Sequence, residues 1–537
     1  MGPDNKRILL ATVVSMAILF GFQLLFPSKP APKKAPAPAP AATEPANPSQ
    51  PAAPSTAATP AVPVPEAAEE LVVLESPELK ATFSSHGGAL KSLVLKGDKF
   101  RRQEKGKDPS PVDLVRVAPG EALPLAVVPS TDAGSPLADP AARASMRIAA
   151  RDDRSVTFEG TVGGARITKR FSLTGKPYEL AVELKADGPG PSALALVYPA
   201  YVPHDQPKPG FFSGGEVFET VVPVCRVPGK TWRMGDEAKT VEGSPKWAGL
   251  DQHYFVSALV PQGEGATCAF AKGASAGTVG SVLRFPYGGA LEAKLLLFSG
   301  PKQLDLLQAY GKELDAAIDY GAITNFFAFF ARLLLWILRQ AYALVHNWGA
   351  AIILLTLLVK AVLYPLTAKS MQSMNEMRKL QPEIEKLKAK YGDDREKMNL
   401  AVMQLYQQHK VNPLGGCLPL LLQMPIFFAL YATLQTSVEL YREPFLWISD
   451  LTRYDPLYVL PIAMGVSQFV MQKLSPQPAD NAQAKMMLYF MPIFFTVIMF
   501  RLPAGLALYI FANNLISMAQ QQWLMRRSTA AEKPAAA

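Results

Sequence analysis

The chain has 537 residues, 49% of them apolar, with 48 prolines, three cysteines and a formal net charge of +9. That length holds about three domains, and so large an apolar share places part of the chain in a membrane. The cysteines have no CxxC or zinc-ligand spacing, and the basic residues gather in 367–410 and at the extreme C-terminus. Beside apolar runs, the bias of inner loops toward Lys and Arg accounts for that charge without a specific nucleic-acid partner.

Residues 8–26 form an apolar run of 19 preceded by Lys6 and Arg7. The run is longer than a signal-peptide core, and Pro27 stands where a small-residue cleavage site belongs. Residues 1–26 therefore read as an uncleaved anchor with its N-terminus inside. The Pro/Ala-rich stretch 27–70 cannot form a packed core and reads as a semi-rigid tether of about 3.1 Å per residue.

From Leu71 to Pro301 short alternating segments take over. Tyr178, Leu180, Val182 and Leu184 alternate with Glu179, Ala181, Glu183 and Lys185, and a run holding Ile167, Arg170, Phe171 and Leu173 is bounded by Gly163-Gly164 and Gly175. A β-rich domain over 71–320, most simply a large sandwich ending in a helical segment, is expected. Its histidines, His86, His204 and His253, share no ligand spacing, and no nucleophile elbow is present, so no catalytic site is expected. His253, within KWAGLDQHYF, reads as a structural hydrogen-bonding residue. Cys225 and Cys268 both fall in this domain and are free to pair if its compartment is oxidising.

Residues 321–346 are apolar and helical, with Arg332 and Arg339 seven apart on one face. If this segment spanned, the next helix would carry the basic loop 367–412 outward, against the orientation bias. An amphipathic helix lying on the outer surface, its arginines toward headgroups, satisfies both constraints.

The segment 347–366 is long and apolar enough to cross a bilayer, yet contains Lys360. A mid-span lysine costs about 2.5–3.5 kcal/mol on insertion scales and needs a partner, a wet cavity or a short route to headgroups. Thr356 lies one turn before it and Tyr364 one turn after, giving a polar stripe. Beyond it, residues 367–412 read as an inner helical hairpin. Leu380, Ile384, Leu387 and Tyr391 form its first apolar face, Gly392 breaks it, Asp393 or Asp394 caps the second helix, and Met398, Val402 and Leu405 repeat the face; Pro382 marks a kink or restart.

Four further spans are expected at about 417–438, 456–473, 486–502 and 504–524, within 413–525, followed by a short inner tail, 526–537. Gln423, Gln435, Gln468, Asn513 and Asn514 place amides in these spans, which need partners in a bundle interior or a wet groove. No Asp, Glu or His occupies a span centre, which argues against an ion-coupled transporter. No HExxH or paired nucleophile and base argues for intramembrane hydrolysis. Two other classes stay open. A channel or transporter would show solute flux in vesicles, and a tethered enzyme would show turnover by residues 71–301.

The blocks VNPLGGCLPLLLQMPIFFALY (411–431), NWGAAIILLTLLVKAVLYPLT (347–367) and MPIFFTVIMFRLPAGLALYIFANNL (491–515), with FSSHGGALKSLVL, KWAGLDQHYF and LDAAIDYG in the β-rich part, closely resemble the YidC/Oxa/Alb family of membrane protein insertases, in its Gram-negative YidC type. The resemblance implies a six-span α-helical membrane protein, an N-terminal anchor plus a five-span core, with a large periplasmic β-supersandwich similar to sugar-mutarotase folds. It implies a non-enzymatic insertase and chaperone that inserts, folds and helps assemble integral membrane proteins in the inner membrane, alone or with the Sec translocon, and that uses no cofactor and no metal. The family's groove is hydrophilic, open to the cytoplasm and to lipid and closed toward the outside.

Carried over by position, the groove residues are Lys360, Thr356, Tyr509 and Gln423, and the path of the inserting helix is Met424, Pro425 and Phe427 with Phe494, or Phe495, opposite. Lys360 stands where the family typically has arginine, so the charge is kept without the planar fork. Ile510 stands where a second tyrosine is frequent. Implied partners are nascent membrane proteins, SecYEG and SecDF of the translocon, the ribosome and signal recognition machinery, and membrane lipids. Both termini are expected in the cytoplasm, and the short tail argues against strong ribosome docking through it.

Overall fold

The computed structural model describes residues 68–97, 99–102, 110–130, 134–202, 221–235, 239–318, 328–391, 394–409, 411, 418–474 and 486–532. The expected anchor and tether, His204 and Cys417 lie outside these residues.

The β-rich part is built as its alternation requires. In the strand Glu179–Asp187, Leu180, Val182, Leu184 and Ala186 are buried while Lys185 and Asp187 face out; Tyr178, expected to open this strand, instead takes φ 60° just before it. Nine strands form one antiparallel sheet in the order Lys230–Arg233, Val221–Val227, Trp247–Gln252, Phe255–Pro261, Ala290–Pro301, Glu179–Asp187, Ala165–Leu173, Ser155–Val162 and Arg147–Arg151. Five form a second, in the order Thr240–Val241, Thr267–Lys272, Thr278–Pro286, Ala193–Tyr201 and Ala126–Pro129. The inner faces share one core, with Leu180, Val182 and Leu250 of the large sheet against Leu196, Tyr198 and Leu283 of the small one. The outer face of the large sheet is covered by α1 (Leu304–Tyr310) and the turn Leu314–Ala317, whose Leu307, Leu314 and Ala317 pack on Trp247, Val256 and Phe298.

One inward position breaks the apolar pattern. Lys169 sits between Ile167 and Phe171 on the core side of its strand and is fully buried. Its Nζ donates to the carbonyls of Gly87 and, at 2.9 Å, Leu125, tying two loops to the sandwich, and lies 5.9 Å from the Phe171 ring centre. Burial pushes its pKa down to about 7.

The helical part begins with α2 (Ala328–Val345), which packs along α3 (Trp348–Lys379) and α6 (Leu418–Thr436) through Ala331, Leu334, Leu338 and Ala341. Its other face exposes Phe329, Leu333, Trp336 and Leu344. Arg332 is exposed as expected, but Arg339 does not face headgroups. It pairs with Asp305 of α1 at 2.8 Å and with Glu439 in the turn after α6, because two carboxylates within reach outcompete solvent for a half-buried guanidinium.

That turn is where the β-domain meets the helices. Val438 and Tyr441 join the sandwich core, the Tyr441 ring lies 5.0 Å from Tyr254 and 5.8 Å from Phe255, and Lys99 pairs with Glu443 at 2.8 Å while donating to the Glu439 carbonyl at 2.7 Å. Tyr441 Oη and an Arg442 guanidinium N–H both donate to the Arg101 carbonyl at 3.0 Å. The sequence HYF at 253–255 is thus the docking tip of the domain, with the His253 ring set edge-on 4.3 Å from Tyr254.

α3 differs from its expected end at Leu366. It runs through Pro365 to Lys379, and Leu380 separates it from α4 (Gln381–Tyr391), in which Pro382 takes a first-turn position that needs no backbone N–H. The Asp394 carboxylate caps α5 (Arg395–Gln408) by accepting from the Lys397 amide at 3.1 Å. Leu380, Ile384, Leu405 and Val411 form the small core of this hairpin. The remaining helices are α7 (Val459–Leu474), α8 (Met491–Met499), preceded by a π-turn at Met486–Phe490, and α9 (Ala504–Glu532). Among the described residues only Trp348–Met377 is both long and apolar enough to cross a membrane unaided. α7, with 16 residues, spans about 24 Å, less than the ~30 Å of a typical hydrocarbon core.

Two measurements check this account. Lys169 titrates near 7 folded and near 10.4 unfolded, so as pH falls through that window the unfolded chain takes up the proton first. Stability should drop by about 1.4 kcal/mol per pH unit and level off below pH 7. The denaturation midpoint of the β-domain in the full chain should carry this slope, and Lys169→Met should remove it. Arg339→Met should leave Glu439 unpaired and raise amide hydrogen exchange in 304–310 and 438–443 by about tenfold, since losing one partner of a half-buried pair costs more than about 1 kcal/mol; unchanged protection would show the pair to be idle.

Candidate functional site

The polar residues of the helical part fall in register along two helices. On α3, Thr356, Lys360 and Tyr364 follow a four-residue spacing, and on α9 so do Tyr509, Asn513 and Ser517. α3 and α9 are direct neighbours, so the two rows meet. Lys360 Nζ donates to Ser517 Oγ at 2.8 Å, and Ser517 Oγ in turn donates to the Asn513 carbonyl at 2.7 Å. One turn further, the rings of Tyr364 and Trp523 lie 6.2 Å apart. The lysine stem is half-buried, and its ammonium reaches a hydroxyl with no charge of its own.

Two other helices add to the rows. Gln423 of α6 donates its amide N–H to Tyr509 Oη, which is almost wholly buried. Ser467 of α7 accepts from the Asn514 amide at 3.0 Å and donates to the Met464 carbonyl. Asn513 Oδ1 and Gln520 Oε1 are buried without a protein partner. The result is a polar seam through an otherwise apolar bundle whose core holds Ile352, Leu355, Leu430, Leu434, Leu506 and Leu508.

Of the residues picked from sequence, Lys360, Gln423 and Tyr509 lie in this seam. Thr356 lies on the same row, but it is 1% exposed and its hydroxyl bonds back to the Ile352 carbonyl at 2.7 Å, so it is packed rather than presented. Met424 is exposed at the surface of α6, Pro425 lies inside that helix, and Phe427 packs half-buried on the bundle core. Phe494 is exposed on α8, stacked 5.6 Å from Phe490. α8 packs mainly on α7, whereas α6 packs on α2, α3 and α9. Ser517, Ser467 and Trp523 were missed, since a lone serine in an apolar helix carries little signal; the spacing Tyr509, Asn513, Ser517 was the usable one. No cluster of three metal-ligating side chains occurs among the described residues.

Two family models match the chain, the YidC periplasmic domain over residues 71–337 and the 60Kd inner membrane protein over residues 340–532. The membrane protein insertase YidC of Anaeromyxobacter dehalogenans (strain 2CP-C) is 59% identical over 546 residues, covering 100% of both chains. That of Geobacter metallireducens is 36% identical over 557 residues, covering 98% of this chain and 99% of its own. A crystal structure of an active YidC insertase with the first transmembrane domain resolved covers 84% of this chain and 91% of its own, at 18% identity and a TM-score of 0.36. With both family models matched one after the other along the chain, and relatives 59% and 36% identical over nearly its full length, the chain belongs to the YidC family of membrane protein insertases.

Proposed function

We propose that this multi-pass inner-membrane insertase, which is not an enzyme, works through the seam between α3 and α9, with Lys360 as the group that receives the substrate. The observation that carries this reading is the Lys360–Ser517 contact, a full positive charge held inside an apolar bundle by a neutral hydroxyl. A buried ion whose own chain supplies a carboxylate is structurally satisfied. Lys360 keeps its charge available for an acidic group from outside.

In this mechanism a short hydrophilic flank of a nascent membrane protein enters the seam from the cytoplasm. The unpartnered oxygens of Asn513 and Gln520 favour water there, since buried polar groups without protein partners are the ones water satisfies. A substrate carboxylate about 6 Å from the ammonium gains roughly 2–3 kcal/mol at an effective dielectric constant of about 20. Gln423, half-buried, offers its amide to the flank's backbone in place of lost water, and the buried Tyr509 hydroxyl holds that amide in position. Meanwhile the apolar helix of the substrate moves along Met424, Pro425 and Phe427, with Phe494 further round, into lipid, and its transfer out of water supplies most of the driving force. Nothing in these steps calls for a nucleotide or bound cofactor.

We assign the finer partners by position. The β-domain faces translocon components on the periplasmic side, and the hairpin of α4 and α5 meets the ribosome or targeting machinery. The exposure of Leu400 and Met403 on α5 supports a docking role for that hairpin. The domain limits we adopt are 71–320 for the β-domain, 321–346 for the surface helix, 347–366 for the first core span, 367–412 for the hairpin and 413–525 for the remaining spans.

The test is complementation in cells depleted of their own insertase, following a single-spanning substrate with an acidic flank. Lys360→Arg should support insertion. Lys360→Gln and Lys360→Glu at equal expression should slow it about thirtyfold or more, the loss expected for about 2 kcal/mol of attraction. Full insertion by Lys360→Gln would reduce Lys360 to a tolerated residue. Tyr509→Phe, which strips the hydroxyl that Gln423 meets, should slow insertion about fivefold, in line with about 1 kcal/mol for one hydrogen bond, and should do so equally for acidic and neutral flanks.

A further inference from the structure

Cys225 lies in the strand Val221–Val227 of the nine-stranded sheet, and Cys268 in the strand Thr267–Lys272 of the five-stranded sheet. Each strand is second from the edge of its sheet, and the two strands lie against each other across the sandwich. Both side chains are fully buried and belong to the inter-sheet core, among Val227, Val241, Leu250 and Leu283. Both are free thiols in this structure, and burial together with the neighbouring Cys225 thiol pushes the Cys268 thiol well above its ordinary pKa.

That setting rules out a nucleophilic role. A reactive cysteine needs access and a group that favours the thiolate, and neither thiol has exposure. Nor is either a metal site, since no further ligand stands with them among the described residues. Two facing thiols in the core of an exported domain are placed for oxidation, because the periplasm is oxidising. We propose that Cys225 and Cys268 form a disulfide that fastens the two sheets of the β-domain to each other.

The bond forms by exchange with an exported dithiol-disulfide oxidant. The thiolate of one cysteine attacks a sulfur of the donor disulfide, giving a mixed disulfide and expelling one donor thiolate. The second cysteine, as thiolate, then attacks the chain's own sulfur and expels the other. Two electrons pass to the donor, which leaves as a dithiol with the two protons. Since both sulfurs are buried in the folded domain, exchange precedes closure of the sandwich, and the finished bond is shielded from reductants. The segment it closes, 226–267, includes the strand Trp247–Gln252 and the HYF docking tip, so the bridge also stiffens the end of the domain that seats on Tyr441.

The chain's third cysteine, Cys417, makes the test a matter of counting. Full-length protein made with its domain exported is quenched in acid, denatured in detergent and labelled with a maleimide polymer. One adduct is expected before reduction and three after it. Cys225→Ala should give two adducts with or without reductant, because Cys268 loses its partner. Melting of the β-domain in the full chain should fall by about 5–10 °C on replacing both cysteines by alanine. Three adducts without reduction, or a Cys225→Ala chain that still gives one, would overturn the proposal.

Discussion

An ammonium cannot be left bare inside an apolar helix bundle, and the helical half of this protein is arranged around that constraint. Lys360 costs several kcal/mol in a span, and the fold meets the cost with a hydroxyl rather than a carboxylate. To bring Ser517 within 2.8 Å, α9 must run alongside α3 with its polar row turned inward. Once it does, Tyr509 is placed for Gln423 of α6, and Asn514 for Ser467 of α7. Four helices are therefore tied through one polar seam whose only full charge, among its described members, stays uncompensated. In the mechanism proposed, that residual charge is what a substrate's acidic flank completes.

The β-domain is joined to this bundle by a chain of contacts and not by covalent continuity alone. Arg339 links Asp305 on the domain's covering helix to Glu439 in the turn after α6, while the Tyr254, Phe255 and Tyr441 rings supply apolar area beside it. The same turn leads out of α6, which carries Gln423, Met424, Pro425 and Phe427. The domain therefore seats on the turn that leaves the helix along which the substrate path is proposed. Gly349 belongs to the same arrangement, because a side chain there would overlap the Phe445 ring that caps the start of α3.

Much of this was legible in the chain because it follows from periodicity. The alternation at 180–186 fixed which face of its strand is buried, and the spacing of Leu380, Ile384 and Leu405 fixed the hairpin's core. The Thr356–Lys360–Tyr364 row was equally visible. What escaped depends on contacts between residues far apart in sequence. Ser517 is an ordinary residue until a lysine 157 positions away reaches it. Arg339 looked like a headgroup ligand because its helix is amphipathic, and only the fold brings Asp305 and Glu439 to it. Lys169 was hidden in the other direction, since a charge at an inward strand position reads as a break in the pattern until two carbonyls are found around it. The helix of α3 also outran its hydropathy, because apolar character stops near Leu366 while backbone hydrogen bonding does not.

The most direct test of the central claim, a wet seam open only to the cytoplasm, is thiol labelling of Ser517→Cys in a chain whose own cysteines are replaced. With a membrane-impermeant maleimide, the account predicts reaction in inverted vesicles, where the cytoplasmic face is outward, and none in right-side-out vesicles. Absence of reaction from either face would mean that Lys360 and Ser517 lie in dry packing. Reaction from both faces would mean a through-channel, and either result would contradict the account.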